Sequence, residues 1–182
     1  MKKALLSSII FGLTVLAVFA YETVIIKYPD EEGWQKAYYK KVGNEAIVQY
    51  LPIGQEINNW TKTIIVHSYN YNETPANYYI STDLLRMIKT NPTGKYKYLK
   101  VTPTDSIAGR CTEDYKNIKA QCEFYRVTIA HGGLVSIHYI NRDKKDFMDN
   151  YHQWYDIVRK AKLYNSYYRD ERTFDKTDYV EL

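Results

Sequence analysis

The stretch from Cys122 to Asn141 constrains the fold more than any other part of this chain. Two apolar, β-branched runs, Cys122 to His131 and Leu134 to Asn141, surround Gly132-Gly133. Glycine at such a place accepts the positive φ of a two-residue hairpin turn, and a hairpin forces antiparallel pairing. The same signal occurs earlier, where Gln35 to Val42 and Glu45 to Leu51 flank Gly43-Asn44. In that register Ala37, Tyr39, Ala46, Val48 and Tyr50 share one face, and Lys40, Glu45 and Gln49 share the other. This is the alternation of a sheet with one buried face, imperfect in that Lys41 falls on the apolar face and Ile47 on the polar one.

Other elements fall between and after these hairpins. Thr61 to Tyr69 is β-branched and predicts a third strand, and Tyr71 to Ala76 reads as a loop. Ser81 or Thr82 then caps a short helix with Leu84, Leu85 and Ile88 as its apolar stripe, ended by Asn91-Pro92. Lys95 to Thr102 returns as a strand, and Thr104 to Ala120 reads as a long polar connection. From Asp143 onward, Phe147, Tyr151, Trp154, Val158 and Ala161 recur at the spacing of one helix face. The predicted fold is α+β: an antiparallel sheet with two hairpins, packed by a long C-terminal helix and one short helix.

The N-terminus carries an address. Lys2 and Lys3 precede an apolar run from Ala4 to Phe19, and Ala20 offers a small residue for cleavage. That layout predicts a signal peptide over residues 1–20, a single domain over 21–163 and a polar, loosely ordered tail over 164–182. The expected location is the periplasm or the cell exterior, with no transmembrane anchor after cleavage, because the apolar run is shorter than the roughly 20 residues of a spanning helix. Without Lys2 and Lys3 the formal charge falls from +4 to +2, a near balance that argues against a nucleic-acid partner.

Cys111 and Cys122 are the two thiols, and in an oxidising compartment they are expected to form a disulfide, worth about 3 kcal/mol in the chain-entropy model. His67, His131, His138 and His152 do not share a metal-ligand spacing, so neither a metal nor another cofactor is expected. No Gly-x-Ser-x-Gly elbow or phosphate loop occurs, and Ser68 or Ser136 beside a histidine in sequence is no signal by itself. No catalytic residue is therefore assigned. Asn59-Trp60-Thr61 and Asn72-Glu73-Thr74 fit the glycosylation pattern and are read as chance, with Trp60 as a core anchor.

Two segments carry a resemblance. Leu51-Pro52-x-Gly54, followed by Trp60-Thr61 and an apolar strand, resembles a group of small exported bacterial proteins of unknown function. The hairpin from Tyr125 to Arg142 is also similar to theirs. The resemblance implies export and an α+β fold, and it implies no activity. The element order resembles the PsbP-like sandwich, which implies binding or assembly roles by fold analogy.

Tyrosine is the unusual residue: the chain has 20, all after the expected leader. Most suit half-buried strand positions. Tyr69, Tyr71, Tyr78 and Tyr79, on and beside the loop after the third strand, are the candidates for partner binding. The expected function is a non-enzymatic exported binding protein whose partner is a protein or an envelope component. The alternative is a small exported hydrolase that uses a histidine such as His131 with an acidic partner.

Overall fold

Strands joined by short connections pair with their neighbours in sequence, and here that rule builds a seven-stranded antiparallel sheet. The computed structural model describes residues 22–25, 33–70, 72–130, 133–165 and 179–180. The expected leader, Tyr71, His131, Gly132 and most of the expected tail lie outside the described residues. One meander comprises β2 (Trp34–Val42), β3 (Glu45–Pro52) and β4 (Lys62–Asn70). Another comprises β5 (Lys95–Lys100), β6 (Asp105–Thr112), β7 (Gln121–Ala130) and β8 (Gly133–Asn141). Pairing of β4 with β8 joins them, giving the order β2-β3-β4-β8-β7-β6-β5. A second sheet holds β1 (Glu22–Ile25) between β9 (Lys162–Asn165) and β10 (Tyr179–Val180).

Helices cover the large sheet on both faces. Helix α1 (Ala76–Thr90) connects β4 to β5 and buries Ala76, Ile80 and Leu84, one per turn, against Ala108, Tyr125, Val127 and Leu134. On the other face α2 (Lys144–Asp149) and α3 (Tyr151–Lys160) bring Phe147, Trp154 and Val158 onto Val48, Ile64, Phe124, Ile137 and Tyr139. Trp154 stacks on Tyr139 with ring centroids 3.7 Å apart and meets Trp34 edge-on at 5.7 Å. Strand β7 is thus buried on both sides, Phe124 towards α3 and Tyr125 towards α1.

The long C-terminal helix is in fact two short ones. The chain breaks at Asn150, whose side-chain amide donates to the Asp146 carbonyl at 3.1 Å and to its carboxylate at 2.9 Å. Those bonds satisfy a turn that leaves the helix, while the apolar residues on either side still reach one core. Two hairpins also understate the sheet. Besides β2–β3 and β7–β8, the pairs β3–β4, β5–β6 and β6–β7 are antiparallel neighbours in sequence. Gly133 opens β8 opposite Ala130 instead of serving in the turn.

Residues 105–112, expected within a connection, form β6 because small buried residues do the work that large apolar ones do elsewhere. Ser106 and Ala108 are fully buried, and the polar Arg110 finds ion-pair partners. Helix α1 starts at Ala76 after Pro75, ahead of the expected Ser81 or Thr82 cap. The Ser81 hydroxyl instead donates to the Asn77 carbonyl at 2.7 Å, inside the helix. Leu85 is exposed, so the apolar stripe runs through Ile80 in its place. Trp60 is not a core anchor: it is half-buried, and the Arg142 guanidinium lies over its ring at 3.6 Å.

Candidate functional site

Alternation along four adjacent strands gathers polar side chains on the α1 side of the sheet. Register sets Arg110 of β6 opposite Glu123 of β7, Tyr125 of β7 opposite His138 of β8, and Ser136 of β8 opposite His67 of β4. Tyr69 follows His67 on that face, and α1 adds Tyr79 and Asp83 from above.

These groups form two sets of contacts, one centred on Glu123 and one on His67. Arg110 Nη1 donates to Asp83 Oδ2 at 2.8 Å, and its Nε donates to Glu123 Oε2 at 2.6 Å. His138 Nδ1 donates to Glu123 Oε1 at 2.5 Å, which leaves Nε2 2.9 Å from the Ser136 hydroxyl. Tyr125 stacks on the His138 ring at 4.3 Å with the Arg110 guanidinium 5.0 Å from its own ring. On the neighbouring strand, Tyr69 donates its hydroxyl to His67 Nδ1 at 2.6 Å, and His67 Nε2 faces Glu45 at 3.5 Å. The Tyr69 and Tyr79 rings pack 5.3 Å apart.

Burial governs the electrostatics. It pushes the Glu123 carboxyl upward, but Arg110 and His138 overcome it and hold the group down to about 2. Arg110 is also penalised by burial, yet Glu123 and Asp83 together keep it above its ordinary value. Burial raises the Tyr69, Tyr79 and Tyr125 hydroxyls and lowers His67, the last partly offset by Glu45. Glu123 is therefore a carboxylate and the three phenols are neutral near pH 7.

Ser136, His138 and Glu123 have the connectivity of a nucleophile, a base and an orienting acid. Their setting differs from that of a reactive serine. Ser136 is 1% exposed, and β8 lies between β4 and β7, so its backbone N–H groups serve the ladders and none is left to form an oxyanion site. What the set centred on Glu123 does is fix α1 to β6, β7 and β8.

Above this base lies a groove of ≈ 180 Å³ between residues 72–74 and the outer side of α1. Tyr78, Tyr79, Thr82, Asp83 and Arg86 line one wall, and Asn72 and Thr74 the other. The Asn72 side-chain oxygen accepts the Thr74 N–H at 2.9 Å, which shapes that second wall as an Asx turn. Tyr78 is 66% exposed, while Tyr79 is backed by Tyr69, and Asp83 by Arg110. A smaller cavity of ≈ 80 Å³ lies beside Cys111, Met87 and Gln121.

The tyrosines expected to bind a partner are thus partly brought together. Tyr69 and Tyr79 are in contact, Tyr78 stands next to Tyr79 in the first turns of α1 instead of in a loop, and Tyr71 is outside the described residues. Cys111 and Cys122 are directly opposite across β6–β7 and form the disulfide, S–S 2.06 Å. Among the described residues, no group of three or more His, Cys, Asp and Glu is placed to hold a metal ion.

Sequence reasoning missed Asp83, Arg110, Glu123 and His138 as a unit. The available signal was Glu123 itself, a carboxylate between Cys122 and Phe124 in an apolar strand, because such a charge demands a buried partner. No protein-family model matches the chain, and no curated protein matches it.

Proposed function

We propose that this is a non-enzymatic, exported binding protein of the periplasm or cell exterior, which takes its partner on the groove at the start of α1. The observation that carries this reading is the pairing of a largely exposed Tyr78 with a Tyr79 fixed from behind by Tyr69 in one groove. Aromatic side chains with a polar tip offer contact area at small entropic cost, and a preformed wall lowers that cost further. The disulfide accords with export, and among the described residues no helix is long and apolar enough to cross a membrane. The resemblance of the Leu51 to Thr61 segment to small exported proteins belongs to the same proposal. In that segment Gln55 ties the loop shut, its side-chain oxygen accepting the Thr61 N–H at 2.8 Å. A photo-crosslinking residue in place of Tyr78 tests the reading on intact cell envelopes. One saturable adduct is expected, competed by unmodified protein and far less well by Tyr78→Ala; equal competition by both overturns it.

Hydrolysis is the second reading, favoured by the Ser136–His138–Glu123 contacts alone. The acidic partner then belongs to His138 instead of His131. It requires Ser136 to react with a fluorophosphonate probe and Ser136→Ala to abolish the label; an unlabelled wild-type protein rejects it.

A further inference from the structure

We infer that the groove at the start of α1 is a subsite for one sugar ring of a neutral glycan, an inference that rests on the binding reading and names its ligand class. The lining is the first reason. Asn72, Thr74, Tyr78, Tyr79, Thr82, Asp83 and Arg86 include no aliphatic side chain, so the apolar surface they offer is that of tyrosine rings, threonine methyls and the Arg86 stem, each next to a polar group. Every lining residue carries a hydroxyl, an amide or a charge, and two of them also carry an aromatic ring. A pyranose matches that combination, since its axial C–H face packs on a phenol ring while its hydroxyls both donate and accept.

Charge is the second reason. Arg110 pairs with Asp83 at 2.8 Å from behind, and the exposed Arg86 lies 4.0 Å from the same carboxylate, so the described lining holds one acid and one base side by side. A phosphate or carboxylate ligand would meet the Asp83 carboxylate next to Arg86, the one cation among the described lining residues. Neighbouring hydroxyls of a sugar instead use both groups, one donating to Asp83 and the other accepting from Arg86. Asp83 is held for this by Arg110 at 2.8 Å, and Tyr79 is held by Tyr69, so the inner wall is set before any ligand arrives.

Size is the third. At ≈ 180 Å³ the groove is smaller than the roughly 300–1,000 Å³ of pockets that enclose a drug-sized molecule. It admits a single ring and leaves the rest of the chain outside, as a polysaccharide requires.

Titration calorimetry of the mature, disulfide-bonded protein with chitotetraose, cellotetraose and maltotetraose, and with tetragalacturonate as the anionic control, tests the assignment. At least one neutral tetrasaccharide is expected to bind saturably and more tightly than tetragalacturonate. Tyr78→Ala should weaken it by about tenfold or more at unchanged melting temperature, while Tyr78→Phe keeps the ring and the affinity. Thr82→Val, at an exposed position, should weaken it as well. Absence of binding by all three neutral sugars, preference for the anionic one, or equal affinity of Tyr78→Ala overturns the glycan assignment. If the sugars fail while the crosslinker at position 78 still gives its competed adduct, the binding reading stands without the glycan; failure of both removes both.

Discussion

Arg110 of β6 and Asp83 of α1 meet at 2.8 Å, and through that contact the groove is anchored to the interior of the sheet. The same guanidinium holds Glu123, which is 1% exposed and held in turn by His138. A helix packed on a sheet by Ala76, Ile80 and Leu84 alone has some freedom to slide. The charged bridge adds a directional contact that ties one wall of the groove to β6.

Glu123→Gln should therefore be costly. Removing one partner of a buried pair leaves the others uncompensated, and the expected loss is about 3–5 kcal/mol in urea unfolding. A loss below about 1 kcal/mol would show that the network is not structural. Because the Glu123 carboxyl is held down to about 2 from an ordinary 4.5, its contribution is whole above pH 4.5 and lost as the pH falls towards 2. The wild type should lose stability across that acid window, and Glu123→Gln should lose less.

His67 gives a second pH dependence at milder pH. Burial lowers its pKa from 6.5, so protonation opposes folding: the stability is present above 6.5 and declines as the pH falls through the lower folded value. The urea midpoint of the wild type should drop as the pH falls below 6.5, and His67→Gln should flatten that part of the profile. An identical slope in the two proteins refutes this origin.

Arg126 of β7 supports the opposite face. Its Nη1 lies 3.1 Å, 3.0 Å and 2.7 Å from the carbonyl oxygens of Val158, Arg159 and Ala161, the open end of α3, and its Nε donates to Asp105 at 2.8 Å. Arg126→Leu strips that end of its donor and should cost about 1–3 kcal/mol. Hydrogen exchange should rise first in the last turn of α3. Uniform exchange across the molecule would locate the effect elsewhere.

The Cys111–Cys122 bond closes the β6–β7 connection between residues already paired in the ladder. Replacing both with Ala should lower stability by about 3 kcal/mol with the far-ultraviolet spectrum unchanged. Thiol labelling of the unfolded, unreduced wild type should find no free thiol, and two labelled cysteines would contradict the bond.

Much of the sheet was legible locally. Gly43-Asn44 turns β2 into β3 as its composition predicts, with Gly43 at φ +57, and the β-branched run before Tyr69 is β4. What misled were places where a residue's preference lost to its surroundings. Tyr78 and Tyr79 suit a strand or loop, yet they lie in a helix because Ile80 is buried one position on. Asp105 to Thr112 lacks a run of large apolar residues, yet it pairs on both sides as β6.

From sequence alone came the antiparallel α+β class, the cysteine pair and the concentration of tyrosines around residues 69–79. Those follow from local chemistry: turn residues, alternation, and two thiols with no other candidate to bond. The tertiary structure decided the site. Asp83, Arg110, Glu123 and His138 come from four elements, and they meet only because α1 crosses the sheet over β6 and β7 while register sets Arg110 opposite Glu123. The sign of a residue can be read along a chain, but which opposite charge will be buried against it depends on strand order and helix placement, quantities that no local pattern encodes.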